Sequence, residues 1–215
     1  IIIMINENRL LNEANNFFVI LGPTGSGKTT LMDSLLTRFV RIKTATTRGW
    51  RQDEEPQDAY MWIEAAKQEN ESIEQFRQRV AEQFDLFETN IFADNVYGTP
   101  RQNVLTALKG GRAILGTENH GVKKLIEVFS NEANIVTIFV LPDSFDEMIR
   151  RVHGTRNDLN ERMETAKVEI EDSKSFVNYY VHNTEQQLYS QNTKYSPLEF
   201  TKKNLLNFVN NLMQV

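Results

Sequence analysis

Phe17-Phe18-Val19-Ile20-Leu21-Gly22-Pro23-Thr24-Gly25-Ser26-Gly27-Lys28-Thr29-Thr30 is the stretch from which the fold of this 215-residue chain is read. Five apolar residues in a row, stopped by Gly-Pro, predict a strand buried on both faces of a parallel sheet. From Lys28 to Phe39 the apolar positions Leu31, Met32, Leu35, Leu36 and Phe39 recur at helical spacing, so the Gly-rich turn feeds an amphipathic helix. Gly22 to Thr29 fits G-x-x-x-x-G-K-[ST] in the strand–turn–helix context that gives this pattern its meaning. Its glycines turn backbone N–H groups toward an anion, and the helix start adds positive partial charge. Lys28 is expected to neutralise β- and γ-phosphate oxygens and the Thr29 hydroxyl to ligate Mg²⁺. A nucleoside triphosphate site is thus expected at Gly22, Thr24, Gly25, Ser26, Gly27, Lys28, Thr29 and Thr30.

The alternation of strand and helix returns further along. Ala113-Ile114-Leu115 reads as a short strand, 122–129 as a helix, 135–141 as a strand and 144–152 as a helix. Leu198, Leu205, Leu206, Phe208, Val209 and Leu212 repeat at the spacing of a C-terminal helix. Alternating βα units predict an α/β fold, a mostly parallel sheet covered by helices on both faces. This core is expected from residues 13–48 together with 99–215. The stretch 49–98 is richer in charge and amide, with a helix expected at 72–83. A strand follows in which Leu86, Glu88, Asn90 and Phe92 share one face and Phe87, Thr89 and Ile91 the other. It reads as a small inserted lobe. A polar interval, His153 to Glu161, interrupts two helical patterns and reads as a mobile flap.

Lys and Arg number 24 against 29 Asp and Glu, a formal charge of −5, and 40% of the residues are hydrophobic. That supplies enough apolar side chain for a core and argues against global disorder. The absence of Cys excludes disulfides, zinc–thiolate sites, iron–sulfur clusters and cysteine nucleophiles. His120, His153 and His182 are scattered without carboxylate partners at ligand spacing, so a protein-bound transition metal is not expected. Mild acidity without a Lys/Arg-rich tract gives no electrostatic footprint for nucleic acid. The longest apolar runs, 17–21 and 135–141, fall far short of the roughly 20 residues that cross a bilayer, and no membrane span is expected. Ile1-Ile2-Ile3-Met4-Ile5 followed by Asn6-Glu7-Asn8-Arg9 has neither the basic start nor the cleavage site of a secretory signal. A cytoplasmic protein is the expectation.

Thr44-Ala45-Thr46-Thr47-Arg48, then Arg51 and Tyr60, then Tyr97-Gly98-Thr99 resemble the acceptor-site motifs of the guanylate kinase family. The resemblance runs from Phe17 to about Thr184. It implies a P-loop NTPase-type core with a small acceptor-binding lobe at 49–98 and a short lid at about 153–162. It also implies an enzyme that uses ATP and Mg²⁺ to phosphorylate GMP or dGMP. On this resemblance Arg48 and Arg51 hold the acceptor monophosphate, Tyr60 and Tyr97 hydrogen-bond the same phosphate, and Thr44 and Thr99 complete the guanine pocket. Glu88 matches the carboxylate that accepts guanine N1–H and N2–H₂, and Glu118 an acidic residue also directed at the nucleotide. Guanine offers two adjacent donors where adenine presents an acceptor at N1, so a carboxylate there selects guanine. Arg151, Arg156 and Arg162 match lid arginines, and Asn183 a residue lining the adenine of ATP. Phosphoryl transfer needs positioning, positive charge and exclusion of water more than a covalent catalyst, so Lys28, Arg48 and the lid arginines form the expected catalytic set.

The chain also departs from the family's pattern. Gly116 stands two places before Glu118, where the family usually has an acidic residue, which weakens a Walker-B-like hold on Mg²⁺. The lid interval is shorter than usual, residues 52–59 contain no glycine, and the stretch from Tyr60 to Glu88 is longer than is typical. A remodelled lobe leaves two alternatives beside GMP phosphorylation. One is a kinase of another phosphorylated acceptor, such as a ribose bisphosphate, and the other a catalytically weak guanylate-kinase-like module that binds a protein partner.

Overall fold

The apolar run ahead of the glycines becomes β2 (Asn16–Leu21), and Phe17, Phe18, Val19, Ile20 and Leu21 are all fully buried in it. Alternate residues of a strand point to opposite faces. Phe17, Val19 and Leu21 pack with Val104, Leu108, Val122, Leu125 and Phe129, whereas Phe18 and Ile20 pack with Leu31, Met32, Leu35, Leu205 and Val209. One strand therefore seeds two apolar layers. The computed structural model of the chain describes residues 2–4, 16–50, 60–142, 144–152, 159–183, 189–190, 193–194 and 197–212.

The core sheet has six strands in the order β1 (Ile2–Met4), β10 (Tyr179–Asn183), β9 (Asn134–Pro142), β2, β8 (Arg112–Gly116) and β3 (Val40–Arg41). All run parallel except β1, which closes one edge antiparallel to β10. The Phe17 side of the sheet carries α3 (Arg101–Lys109) and α4 (Asn119–Phe129), and the Phe18 side carries α1 (Lys28–Asp33) and α7 (Pro197–Leu212). This is the α/β core with helices on both faces that the alternation of elements predicts. After β9 come α5 (Phe145–Val152) and α6 (Leu159–Ser173), and β11 (Tyr189–Ser190) pairs with β12 (Thr193–Lys194). Among the described residues no helix is long and apolar enough to cross a membrane.

Two local outcomes differ from the periodicity. The helix expected over 28–39 ends at Asp33, and the chain continues to Phe39 in tighter turns, with the Leu35, Leu36 and Arg38 N–H groups reaching carbonyls three residues back. Ser34 contributes, because its hydroxyl donates to the Leu31 carbonyl at 2.6 Å and so competes with the helix ladder. Leu35 and Phe39 remain buried, but Leu36 is 38% exposed rather than part of the apolar face. The edge strand β1 is the second difference. Three residues are too few to show a period, although a run of β-branched isoleucines has high strand propensity.

A second sheet of four strands has the order β5 (Tyr60–Trp62), β4 (Thr44–Thr46), β7 (Asn95–Pro100) and β6 (Leu86–Phe92). It draws in residues 44–46 and 99–100 from outside the expected interval 49–98. The helix expected at 72–83 is present as α2 (Ile73–Gln83), and it packs on this sheet around Ala45, Ile63, Phe76, Val80, Leu86 and Val96. Its start is fixed by a capping box in which Ser72 Oγ accepts the Gln75 N–H and Gln75 Oε1 accepts the Ser72 N–H. The long connection ahead of it is tied down at Glu71, whose carboxylate accepts Arg79 at 2.8 and 2.9 Å and the Gln68 N–H at 3.0 Å. Hydrogen bonding to Arg79 holds the Glu71 carboxyl down at about 2.

β6 does not alternate as a simple strand. Leu86 pairs with Pro100 and Glu88 with Thr99, so Phe87 is an extra residue at a bulge. Leu86 consequently joins Val80 and Val96 in the lobe core, while Phe87 packs edge-to-face on Phe129 with centroids 5.2 Å apart. Leu86, expected to share a face with Glu88, is thereby on a different side. Beyond the bulge the alternation holds, and Glu88, Asn90 and Phe92 look out together.

Candidate active site

Between β2 and α1 the chain must turn sharply against the neighbouring strand. Gly22 has φ +142°, and a Cβ there would lie 2.4 Å from the Val140 carbonyl oxygen, so only glycine fits where the loop crosses β9. The turn is held by the Ser26 N–H donating to the Pro23 carbonyl and the Leu31 N–H to the Gly27 carbonyl, each at 3.1 Å. Lys28 Nζ folds over the loop and donates to the Pro23 carbonyl at 3.2 Å. Thr24, Thr29 and Thr30 are exposed, whereas Ser26 is buried. Asn183, at the end of β10, is only 4% exposed and donates its amide to the Ser26 carbonyl at 2.9 Å. It braces the loop from within the core.

A cavity of about 330 Å³ opens between this loop and the second sheet. Seven of the sequence-predicted residues line it: Thr24, Thr44, Arg48, Tyr60, Glu88, Tyr97 and Glu118. Arg48 is aimed by its neighbours. The Thr46 hydroxyl accepts the Arg48 N–H at 3.1 Å, and Thr47 exchanges with Val96 through both its backbone N–H and its hydroxyl, at 3.0 Å each. The guanidinium lies 5.1 Å from the Trp62 ring centroid and 5.6 Å from that of Tyr60, within cation–π range. Tyr60 in turn meets Tyr97 edge-to-face at 5.9 Å.

Glu88 stands on another wall of the same cavity, where Thr99 Oγ1 donates to Glu88 Oε1 at 2.6 Å. Burial pushes the Glu88 carboxyl above its ordinary value, the Thr99 bond opposes that, and the charge of Glu118 adds to it. Thr99 is fully buried beneath Glu88 and is not itself part of the cavity lining. The backbones of β6 and β7 approach so closely that a Cβ at Gly98 would lie 2.6 Å from the Glu88 carbonyl oxygen. Glu118 precedes α4 at its N-cap without capping it, and it accepts a hydrogen bond from Asn90 Nδ2 at 2.6 Å. At Gly116, the end of β8, a side chain would meet Met32 Sδ at 3.3 Å. Glu169 of α6 is half-buried, and its carboxyl is pushed up to about 7 by burial and then by the charge of Glu118, with Lys28 opposing.

Arg51 and Arg156 lie outside the described residues, as does 153–158 of the expected lid. Arg151 falls in α5 and Arg162 in α6, with side chains outside the description. Asn90, Phe92 and His120 also line the cavity and Trp62 backs Arg48, though none is among the expected site residues. Asn90 and Phe92 share the Glu88 face by alternation, and Trp62 stands two residues from Tyr60 on the same strand, so period 2 is the signal that finds them. His120 has no such signal.

A family model described as guanylate kinase matches residues 14–192. The guanylate kinase of Nostoc sp. is 33% identical over 171 residues, 76% of this chain and 80% of the relative. The guanylate kinase of Mycoplasmopsis pulmonis is 31% identical over 183 residues, 80% of this chain and 89% of the relative. The crystal structure of guanylate kinase from Anaplasma phagocytophilum superposes with a TM-score of 0.66 at 22% identity, covering 96% of this chain and 90% of that one, a likeness of fold. With a P-loop, an inserted sheet and a match across both, this chain belongs to the guanylate kinase family.

Proposed function

We propose that the chain transfers the γ-phosphoryl group of ATP to GMP or dGMP. The observation that carries this reading is the pairing, in one cavity, of a fixed carboxylate and a stacked guanidinium. Glu88, bonded to Thr99, offers an acceptor edge to the donors of guanine, and Arg48, backed by Tyr60 and Trp62, offers a cation to the acceptor phosphate. The curated relatives that carry the name guanylate kinase support the same acceptor.

In this reading the phosphate of the acceptor sits on Arg48 with Tyr60 and Tyr97, joined by Arg51, while Thr44 and Glu118 complete the walls. Thr24 lines the cavity from the P-loop side, so the acceptor site opens onto the loop that takes the donor. Holding both in line replaces a bimolecular encounter by an oriented one. Gly25 and Gly27 present backbone N–H groups to the donor phosphates, with Thr30 beside them, while the Ser26 N–H keeps the turn closed on the Pro23 carbonyl. Lys28 exchanges the Pro23 carbonyl for those phosphates, and Asn183 keeps the loop in shape through Ser26. Arg151, Arg156 and Arg162 supply further positive charge from the lid side and exclude water as it closes.

The residues fit a magnesium ion of modest protein hold. Mg²⁺ is typically bound by one or two protein groups with phosphates and waters completing six oxygens, and the exposed Thr29 hydroxyl at the start of α1 is such a group. Gly116 offers no carboxylate, and Met32 fills the adjacent space. Held by Thr29, such an ion would supply positive charge to the donor phosphates.

Glu88→Gln tests the acceptor assignment. An amide would set its own N–H₂ against the guanine donors, and losing a charge-assisted pair costs about 1.5–3 kcal/mol, so kcat/KM for GMP is expected to fall roughly 10- to 100-fold. The KM for ATP should stay close to that of the wild type. Unchanged GMP kinetics in steady-state assays would remove Glu88 from the site.

A further inference from the structure

Guanine presents three N–H bonds on one edge, N1–H and the two of the exocyclic amine. A single carboxylate accepts two in parallel, which leaves one amine hydrogen to satisfy. Glu118 lines the same cavity as Glu88, and its charge is sensed by Glu88. Glu118 belongs to the core at the start of α4, whereas Glu88 belongs to β6 of the second sheet, so something must hold Glu118 toward the base. Its carboxylate makes no cap bond to its own helix. The group that reaches it is Asn90, two residues along β6 from Glu88, through Nδ2 to Glu118 Oε2 at 2.6 Å.

The orientation of the Asn90 amide is fixed locally. Its Oδ1 accepts the Ile91 N–H at 2.8 Å, so the oxygen turns back to the strand and the N–H₂ group crosses the cleft. The reverse amide orientation would face an N–H with an N–H₂ and a carboxylate with an oxygen. We infer that Asn90 is a positioning residue that holds Glu118 beside Glu88, so that the two carboxylates together read the exocyclic amine of the acceptor base. Asn90 thereby contributes to the choice of guanine over a purine that lacks the 2-amino group. It also ties the second sheet to the core across the cavity, next to the point where α4 packs on β6. This rests on the proposed acceptor reading and deepens it.

The test compares GMP with IMP, whose base keeps N1–H but has no exocyclic amine. Steady-state kcat and KM for both acceptors, and KM for ATP, are measured on the wild-type chain, Asn90→Ala and Asn90→Asp. Loss of one charge-assisted bond is expected to lower the GMP-to-IMP preference about tenfold in Asn90→Ala, chiefly through the KM for GMP. Asn90→Asp is expected to lower it further, because a carboxylate would face Glu118. Asn90 is exposed, so both variants should melt close to the wild type, and a role in folding alone would not change the ratio. A GMP-to-IMP preference unmoved by either substitution, or equal losses on both acceptors, would overturn the role of Asn90 alone. A wild-type chain that turns over neither GMP nor IMP would overturn the acceptor reading, and Asn90's part with it.

Discussion

Arg48 is held by three kinds of contact, each from a different residue type. The Thr46 hydroxyl fixes its backbone N–H, the Gly49 carbonyl accepts one Nη1 hydrogen at 3.0 Å, and the Trp62 and Tyr60 rings lie against its guanidinium. A long side chain that is already ordered loses less entropy when it takes up an anion. Trp62→Leu removes the closer ring, and since a cation–π contact is worth about 0.5–2 kcal/mol, the acceptor KM is expected to rise roughly 3- to 30-fold. Trp62→Phe should recover most of it, and the KM for ATP should not change. Equal acceptor KM values in all three proteins, measured by steady-state kinetics, would contradict the stacking role. At this scale the sequence is a good guide to which residues share a cavity. Thr44, Arg48, Tyr60, Glu88, Tyr97 and Glu118, scattered over 75 positions from 44 to 118, do meet in one cavity. It is a poor guide to their supports. Nothing in a linear sequence says that Thr99 sits under Glu88 as a bond donor, because that follows from the β6–β7 register and the bulge at Phe87.

The elements show where periodicity works and where side-chain chemistry overrules it. β2 is legible because a strand buried on both faces needs an unbroken apolar run, and the helix expected at 72–83 starts where the Ser72–Gln75 capping box fixes it. α1 is shorter than its period suggests, because Leu31, Met32, Leu35, Leu36 and Phe39 keep a helical spacing that Ser34 interrupts through its bond to Leu31. Two adjacent leucines separate the readings. In the observed turns Leu35 is fully buried and Leu36 is 38% exposed, so Leu35→Ala is expected to cost about 2–5 kcal/mol of stability. Leu36→Gln should cost no more than about 0.5 kcal/mol. Chemical denaturation of both variants decides the matter, and comparable large losses would restore a continuous apolar helix face at 28–39.

The molecule as a whole sets a six-stranded core sheet against a four-stranded second sheet with a cavity between them, and the charge of Glu118 there is sensed by the carboxyls of both Glu88 and Glu169. This has a thermodynamic consequence at Glu169. Its carboxyl rises from the ordinary 4.5 to about 7 in the folded chain, so the folded state keeps a proton that the unfolded state releases. Stability from this group is complete below the unfolded value and is lost as pH rises through about 7. Glu169→Gln, which cannot ionise, should therefore melt close to the wild type near about pH 4.5 and above it near about pH 8. A melting difference that does not change with pH would show that Glu169 carries no such shift. Family membership is what this chain shares with its curated relatives, while Gly116 at the end of β8 and the stretch from Tyr60 to Glu88 are the places where its own sequence is expected to depart from the family's pattern. Guanine-selective phosphoryl transfer is tested most directly by ADP formation from MgATP with GMP, dGMP, AMP, CMP, UMP or ribose 1,5-bisphosphate as acceptor. Turnover is expected with GMP or dGMP, and at least roughly 100-fold lower kcat/KM with every acceptor that lacks guanine. Turnover with ribose 1,5-bisphosphate, indifference to the base, or no turnover with any acceptor while ATP still binds would contradict it.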